Sequence, residues 1–186
     1  RNENDCIVSV VGMLGGTKNN PLAIPKGALQ EDNVMAEFNI DPATSSSEFE
    51  DNITGVLDIM NKVLKNNNLK YDASFATTHI FTNEKLDSNQ AKQFGCSPDM
   101  NIYLGRENEL ISPLLVGNTR MCGGHIHLGI DNPESDPRIR SLLVQWMDIL
   151  VGVPLSVLDP DRTRIKFYGK AGNFRPKPYG VEYRTP

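Results

Sequence analysis

Two histidines separated by one residue are the first side chains in this sequence that could do chemistry. His125 and His127 lie at positions i and i+2, so on a strand both imidazoles point to one side of the sheet. Neutral imidazole is a common metal ligand, and Gly123, Gly124 and Gly129 leave room for a large ligand near the backbone. The pattern fits a metal or phosphate site, and it equally fits two hydrogen-bonded histidines beside a turn.

Two carboxylates stand in similar alternating patterns. Glu182 and Arg184 would share one strand face, as a metal-binding carboxylate beside an anion-binding guanidinium or as a simple surface ion pair. Glu37 and Asn39 present the same choice between ligands for a hard cation and the polar face of a half-exposed strand. Neither pattern alone distinguishes a ligand-binding site from ordinary polar residues at a sheet surface.

Basic residues concentrate near the end of the chain. The segment 159–178 contains Arg162, Arg164, Lys166, Lys170, Arg175 and Lys177 among glycines and prolines. Guanidinium groups in such a setting suit a phosphate clamp, although a solvated basic loop and a nucleic-acid contact fit the composition too. The loop Gly15-Gly16-Thr17-Lys18 is too short for a phosphate-binding GxxxxGK[ST] motif, so we interpret it as a turn, and we interpret the isolated His79 as structural.

Hydrophobic periodicity predicts the elements that must position these side chains. Strands are expected at 7–11, about 33–40, 69–80, the second half of 119–130, and 179–184. A capping box at Ser45 and Glu48 opens an amphipathic helix that ends near 66–68, and a short helix is expected over 83–94. Another helix is expected to begin near Pro137 and to end at Gly152 and Pro154. Because its apolar residues cover more than one face, we expect this helix to be packed between layers. The order of elements predicts an α+β fold with a mostly antiparallel sheet.

The length, net charge and cysteine content of the chain limit the classes of function that it can have. The 186 residues correspond to one domain on a usual size of roughly 100 to 200 residues. With 19 Lys and Arg against 23 Asp and Glu, the net charge of -4 does not favour nucleic acid or anionic membranes, and no continuous apolar run approaches about 18 residues. Cys6, Cys96 and Cys122 show no CxxC spacing, which favours a reduced intracellular compartment over structural zinc or disulfides.

Three motifs, taken in order, resemble one family. Gly-Gly-His125-Ile-His127-Leu-Gly, then Arg164-x-x-x-Tyr168-Gly-Lys170 through Arg175, then Tyr179-Gly-Val-Glu182-Tyr-Arg184, resemble the phage-encoded carboxylate-amine ligases. These belong to the wider glutamine synthetase and glutamate-cysteine ligase fold. The segments 15–18 and 30–39 resemble the N-terminal part of that family, so the resemblance covers most of the chain.

The resemblance implies a fold and an activity. The expected fold has a curved, mostly antiparallel sheet with packed helices, like a glutamine synthetase catalytic domain. The implied reaction is ATP-dependent amide formation through an acyl phosphate, with Mg²⁺ or Mn²⁺, between a small-molecule or peptide carboxylate and an amine. Neither nucleic acid nor a membrane is implied as a partner; homo-oligomers are compatible with it, and the place of action is the cytoplasm, that of the host if the protein is phage-encoded.

The resemblance also implies roles for individual residues. Metal ligands would be His125, Glu182 and Glu37, the last together with Glu31; nucleotide or phosphate contacts would be His127 and Arg120; catalytic cations would be Arg184, Arg175, Arg164 and Lys170. Because the acidic opening motif of the relatives is not found before Asp5, residues 1–186 are expected to be a single ligase-like catalytic domain without its N-terminal strand and C-terminal end. Two alternatives stay open, a metal-dependent hydrolase using the histidine pair and a non-catalytic binding module on the same fold.

Overall fold

The computed structural model describes residues 7–66, 73–89, 99–109, 116–133, 136–159 and 161–185. The chain divides into two compact units. Unit 1 comprises Arg1–Ala76 and Phe81–Gly95, and unit 2 comprises Thr77–Ile80 and Cys96–Pro186. Each unit is described by itself below.

Unit 1 is built from one helix and a three-stranded antiparallel sheet. The strands β1 (Leu22–Ile24), β2 (Gly27–Asp32) and β3 (Met35–Ile40) pair in that order. Helix α1 (Ser46–Asn66) places Val56, Met60 and Leu64 in a core with Leu29 of the sheet. The predicted capping box is met in part: Ser45 Oγ accepts the Glu48 N–H at 3.2 Å, and the Glu48 carboxylate accepts the N–H of Thr44, one residue before the cap, at 2.8 Å.

Several predictions for unit 1 are wrong or only partly met. The strand at 7–11 is absent: residues 7–10 have no regular structure, the Val10 N–H bonds the Val34 carbonyl at 3.1 Å, and the chain then turns. The hairpin of β1 and β2 is not predicted by periodicity, because three consecutive residues of β2, Leu29 to Glu31, are all buried and break the expected alternation. A 3₁₀ turn at Asn83–Leu86 replaces the start of the short helix, whose remainder at 90–94 lies outside the described residues.

Unit 2 contains a five-stranded sheet and a separate pair of strands. The five strands are β5 (Met100–Asn101), β6 (Arg106–Glu107), β8 (Ile126–Gly129), β9 (Asn173–Lys177) and β10 (Gly180–Tyr183), and their order across the sheet is β6-β5-β9-β10-β8. The separate pair joins β4 (Thr78–Ile80), the described part of the strand predicted at 69–80, to β7 (Thr119–Met121). All neighbouring strands run antiparallel, which agrees with the predicted α+β class.

The alternation of side chains gives the five-stranded sheet one apolar and one polar face. Phe174, Val181 and Tyr183 form the apolar face, which packs against Val144 and Met147 of α2 (Pro137–Met147). Residues one position away point to the opposite face. That face carries the polar residues Asn101, His127, Asn173, Arg175, Lys177 and Glu182.

The helix that begins at Pro137 is longer than predicted. α2 continues through a π-helical turn, Asp148–Gly152, into α3 (Val153–Leu158), and α4 (Arg162–Phe167) follows. Gly152 and Pro154 therefore do not end the helix. The π turn shifts the hydrogen-bond register, with the Val153 N–H bonding the Asp148 carbonyl, just before the proline that has no N–H of its own.

A buried carboxylate fixes this π turn to the sheet. Asp148 accepts hydrogen bonds from the Tyr183 and Tyr103 hydroxyls, each at 2.7 Å, on the apolar side of the sheet. Burial is the main reason that the pKa of Tyr183 is raised, and the hydrogen bond from Tyr103 to Asp148 raises the pKa of Tyr103.

The outer face of this helix is exposed, so the prediction that it is packed between layers is wrong. The large apolar residues on it are Leu142, Trp146, Ile149, Leu150, Val153, Val157 and Leu158. By length and composition the helix Arg138–Leu158, with a mean hydropathy of 1.7, could cross a membrane. One such helix is weak evidence, since core helices of soluble proteins meet the same criteria and this one packs Val144 and Met147 on the sheet.

Candidate functional site

The polar face of the five-stranded sheet gathers charged side chains from three adjacent strands. Glu182 on β10 is paired in register with His127 on β8 and with Arg175 on β9, so the three side chains share this face. His125, Lys177 and Arg184, two positions along these strands, join them, and so does Asp99, which lies just before β5. We call the resulting group the ionic cluster, and its members are Asp99, His125, Arg175, Lys177, Glu182 and Arg184.

Glu182 lies at the centre of the ionic cluster, with a side chain that is only 4% exposed. Its Oε1 contacts Arg184 Nη1 and lies 3.6 Å from Arg175 Nη1, while its Oε2 lies 2.6 Å from Lys177 Nζ. Burial alone raises the pKa of Glu182, but the hydrogen bonds from Lys177 and Arg184 outweigh it and lower the pKa to about 2. Glu182 is therefore ionised at neutral pH.

Asp99 is the second carboxylate of the ionic cluster. Its Oδ1 lies 3.0 Å from Arg175 Nε and 2.8 Å from Arg184 Nε. Burial disfavours the charge on Arg184, yet Asp99 and Glu182 raise its pKa above the usual value. Three cations, counting Lys177, thus face two carboxylates, and the excess positive charge suits an anionic ligand.

The two histidines are neutral at pH 7. Burial and then the charge of Arg184, whose Nη1 lies 3.0 Å from His125 Nδ1, lower the pKa of His125 to about 4. Burial also lowers the pKa of His127. The His127 ring stacks on Tyr179 at a centroid distance of 6.0 Å, and its Nδ1 contacts the Tyr179 hydroxyl. Neutral imidazoles are the form that binds metal.

His125 and Glu182 fit one part of a metal site. His125 Nδ1 lies 3.4 Å from Glu182 Oε1, and both side chains have the protonation that metal binding needs. Within the described part of the chain, no group of three or more His, Cys, Asp or Glu side chains could hold a metal ion. The pair provides one carboxylate and one imidazole at this position, and its role in metal binding stays a prediction.

The acidic residues predicted in unit 1 have other partners. Glu37 accepts a hydrogen bond from the Gln30 side-chain amide, and its role as a metal ligand stays a prediction. Glu31 accepts the Gly12 and Leu14 N–H groups, each at 3.0 Å, and so stabilises the loop that precedes β1. The predicted turn at 15–18 is met in part: the chain bends at Gly15, and the turn itself is closed by reciprocal backbone hydrogen bonds between Thr17 and Asn20. Lys18 Nζ lies 3.8 Å from Asp32.

Two of the predicted cationic residues bind backbone carbonyls. Arg164 Nε donates to the Cys122 carbonyl at 2.8 Å, and Arg120 Nη1 donates to the Gly117 and Thr119 carbonyls at 3.0 and 2.9 Å. Both arginines are buried, and burial lowers the pKa of each. Lys170 is exposed. The ionic contacts described above do not include these three residues, and their predicted roles toward nucleotide or substrate stay predictions.

Sequence reasoning misses three contributions to this face. Asp99 and Asn101 alternate as Glu182 and Arg184 do, but β5 is only two residues long and has no strand pattern of its own. Lys177 is recognisable only as part of the basic segment. The sequence does not identify Tyr179 as the partner of His127. Its position beside a glycine, just before a strand, is a signal that could have pointed to a role at this face.

Residues 117–186 match the family model described as phage phiEco32-like COOH.NH2 ligase-type 2. The match confirms the resemblance that the three motifs indicated, and it spans less than half of the chain. No curated protein and no solved structure matches the chain, so the glutamine synthetase-like fold is not shown.

The segment matched to the COOH.NH2 ligase family contains most of the ionic cluster. It includes β7 to β10 and therefore His125, Arg175, Lys177, Glu182 and Arg184. Asp99 and Glu37 lie outside it. The family name indicates a carboxylate-amine ligase, and five of the six members of the ionic cluster fall in the matched segment.

Proposed function

We propose that this chain carries a catalytic site of a carboxylate-amine ligase that consumes ATP, uses Mg²⁺ or Mn²⁺, and forms an amide or peptide bond through an acyl phosphate. The observation that carries the proposal is the ionic cluster, which has excess positive charge on the polar face of a sheet and lies mostly in the ligase-family segment. A site with that charge is suited to phosphate and carboxylate groups.

The chemistry requires such cations. A substrate carboxylate oxygen attacks the γ-phosphorus of ATP, and the bond to the ADP oxygen breaks; the amine then attacks the acyl carbon, loses a proton and expels phosphate. Each step brings anionic groups together, so the barrier falls when cations are already in place. Arg175, Lys177 and Arg184 are the residues for this role, and the planar guanidinium groups can bind an oxyanion with two parallel hydrogen bonds.

His125 and Glu182 would hold the divalent metal. When bound, the metal would offset charge on the phosphate oxygens. Glu182 contacts Lys177 and Arg184, which places both cations beside the proposed metal position, where an anionic substrate would meet them. His127 and Arg120 are proposed to contact the nucleotide, and Glu37 to serve a second metal position.

The remaining assignments are coarser. Arg164 and Lys170 are proposed to contact phosphate or substrate, with no individual role. The substrates are proposed to be a small-molecule or peptide carboxylate and an amine, in the cytoplasm, and without a nucleic-acid or membrane partner. A homo-oligomer is proposed as compatible with the fold, and sedimentation analysis would determine the mass.

The direct test is ADP release from ATP and Mg²⁺ in the presence of a panel of amino-acid and peptide carboxylates with amines. We expect the chain to release ADP and expect Glu182→Ala and His125→Ala to abolish the release. Glu107→Ala is the matched control, because Glu107 is an exposed carboxylate on β6 of the same sheet. Circular dichroism must show that each variant is folded. Near-normal turnover in either site variant would reject the metal assignment.

A thermal-shift measurement with ATP and Mg²⁺ separates the ligase from the hydrolase, and the release of ADP separates the ligase from the non-catalytic binding module. The ligase would gain stability from ATP with Mg²⁺ and would release ADP, whereas the binding module would release none. A hydrolase that uses the histidine pair would co-purify with zinc and show no shift. Zinc in the purified protein together with an unchanged melting temperature would overturn the ligase proposal.

A further inference from the structure

Asp99 contacts the two arginines of the ionic cluster at the same atom of each side chain, Nε. A single oxygen, Oδ1, lies 3.0 Å from Arg175 Nε and 2.8 Å from Arg184 Nε, and the Asp99 side chain is 11% exposed. The Nη1 atoms of the same guanidinium groups face Glu182 Oε1. Each guanidinium therefore lies between two carboxylates that contact different atoms of it.

This arrangement has an electrostatic consequence. Without Asp99, the positive charges of Arg175, Lys177 and Arg184 would face the single carboxylate of Glu182. Two arginine side chains that repel each other and have several rotatable bonds would then lose a common orientation. Contact at Nε, together with the Nη1 contacts to Glu182, restricts rotation about each side chain and so gives the two guanidinium groups one orientation toward an incoming oxyanion.

We propose that Asp99 is a positioning residue, which fixes Arg175 and Arg184 so that their Nη groups meet the reacting carboxylate or phosphoryl group. The proposal rests on the proposed ligase function. Asp99 lies outside the family-matched segment and outside the motifs that resemble the ligases, so neither assigns it this role.

The kinetic test is Asp99→Asn, which keeps the side-chain shape and removes the charge. We expect kcat for ADP release to fall by about 100-fold, because misplaced cations lose transition-state stabilisation. KM for the carboxylate substrate should not rise, since removing a negative charge does not weaken the attraction to an anion. Asp148→Asn is the matched control, because Asp148 is a buried carboxylate on the opposite, apolar face of the same sheet. Equal falls in kcat for both variants would overturn the proposal.

A spectroscopic test does not depend on turnover. In protein labelled with ¹⁵N-arginine, the guanidinium signals of Arg175 and Arg184, assigned with Arg→Lys variants, should indicate restricted rotation. Asp99→Asn should average these signals, and Asp148→Asn should leave them unchanged. If the wild-type chain releases no ADP, the ligase proposal fails while these spectra still decide the role of Asp99. Unchanged arginine signals in Asp99→Asn would overturn the proposed positioning role of Asp99.

A second variant covers the case in which Asp99→Asn does not fold. Asp99→Glu keeps the charge that balances the arginines and displaces the carboxylate by one methylene. We expect the variant to fold and the arginine signals to shift, with a smaller loss of kcat. Wild-type arginine signals in a folded Asp99→Glu protein would contradict positioning by Asp99.

Discussion

At the scale of single residues, Glu182 is the most informative side chain. A buried carboxylate among three cations gives little net stability, because the desolvation of the charges offsets their attraction, and apolar residues of similar size are often as stable. The lowered pKa of Glu182, about 2, shows that the surroundings favour its charge strongly. Perturbed carboxylates of this kind, gathered with arginines on one face, are typical of functional sites.

Arg184→Lys tests whether guanidinium geometry, rather than charge, matters. Lysine keeps the positive charge but has one nitrogen, so it cannot contact both Asp99 and Glu182 as Nε and Nη1 of Arg184 do. We expect ADP release to fall by about 100-fold, as measured by a coupled assay. Arg138→Lys is the control, since Arg138 is 85% exposed in its pair with Asp136. Equal activity in the two variants would show that charge alone suffices.

At the scale of elements, the junction of β8 and β10 depends on one glycine. Gly180 opens β10 with φ +150°, and a Cβ there would lie 2.1 Å from the Leu128 carbonyl oxygen. A Cβ on its register partner, Gly129, would have no neighbouring atom within 4 Å. The two glycines are paired with each other but have opposite tolerance for a side chain.

We therefore expect Gly180→Ala to lower the free energy of unfolding by about 2 to 3 kcal/mol, because the strand that carries Glu182 must move away from β8. Gly129→Ala is expected to change it by about 1 kcal/mol or less. Urea unfolding followed by circular dichroism measures both. Equal stabilities of the two variants would mean that β10 adapts without strain.

The elements also show what sequence can and cannot predict. α1 and β10 are predictable because local periodicity and one capping pair define them. β2 is not predicted by its pattern because Gln30 and Glu31 are polar yet buried. The Glu31 carboxylate accepts hydrogen bonds from the N–H groups of Gly12 and Leu14 in the loop. Asp99 joins the candidate site only through pairing with distant strands, which no local pattern encodes.

At the scale of the whole molecule, overall charge and local charge oppose each other. The chain has a net charge of -4 and a pI of about 5.4, whereas the ionic cluster has more cations than carboxylates. Non-specific attraction of anions is therefore weak, so under the proposed function the affinity for phosphate or carboxylate would come from the cluster.

The pH dependence of stability follows from the same cluster. Glu182 has a pKa of about 2 in the folded chain against an ordinary 4.5, so its contribution is complete above pH 4.5 and is lost as the pH falls toward 2. His125 has a pKa of about 4 against 6.5; the unfolded chain gains this proton below pH 6.5 while the folded chain does not, so stability falls between pH 6.5 and 4.

Both shifts act in the same direction, and acidification from pH 7 to 3 should lower the free energy of unfolding continuously. Urea unfolding at pH 7, 5.5, 4 and 3 measures this. His125→Asn should flatten the dependence between pH 6.5 and 4, and Glu182→Gln should flatten it below pH 4.5, because each variant removes one group whose proton uptake differs between the two states. A wild-type stability that is the same at pH 7 and pH 4 would contradict the neutral, partly desolvated His125 beside Arg184.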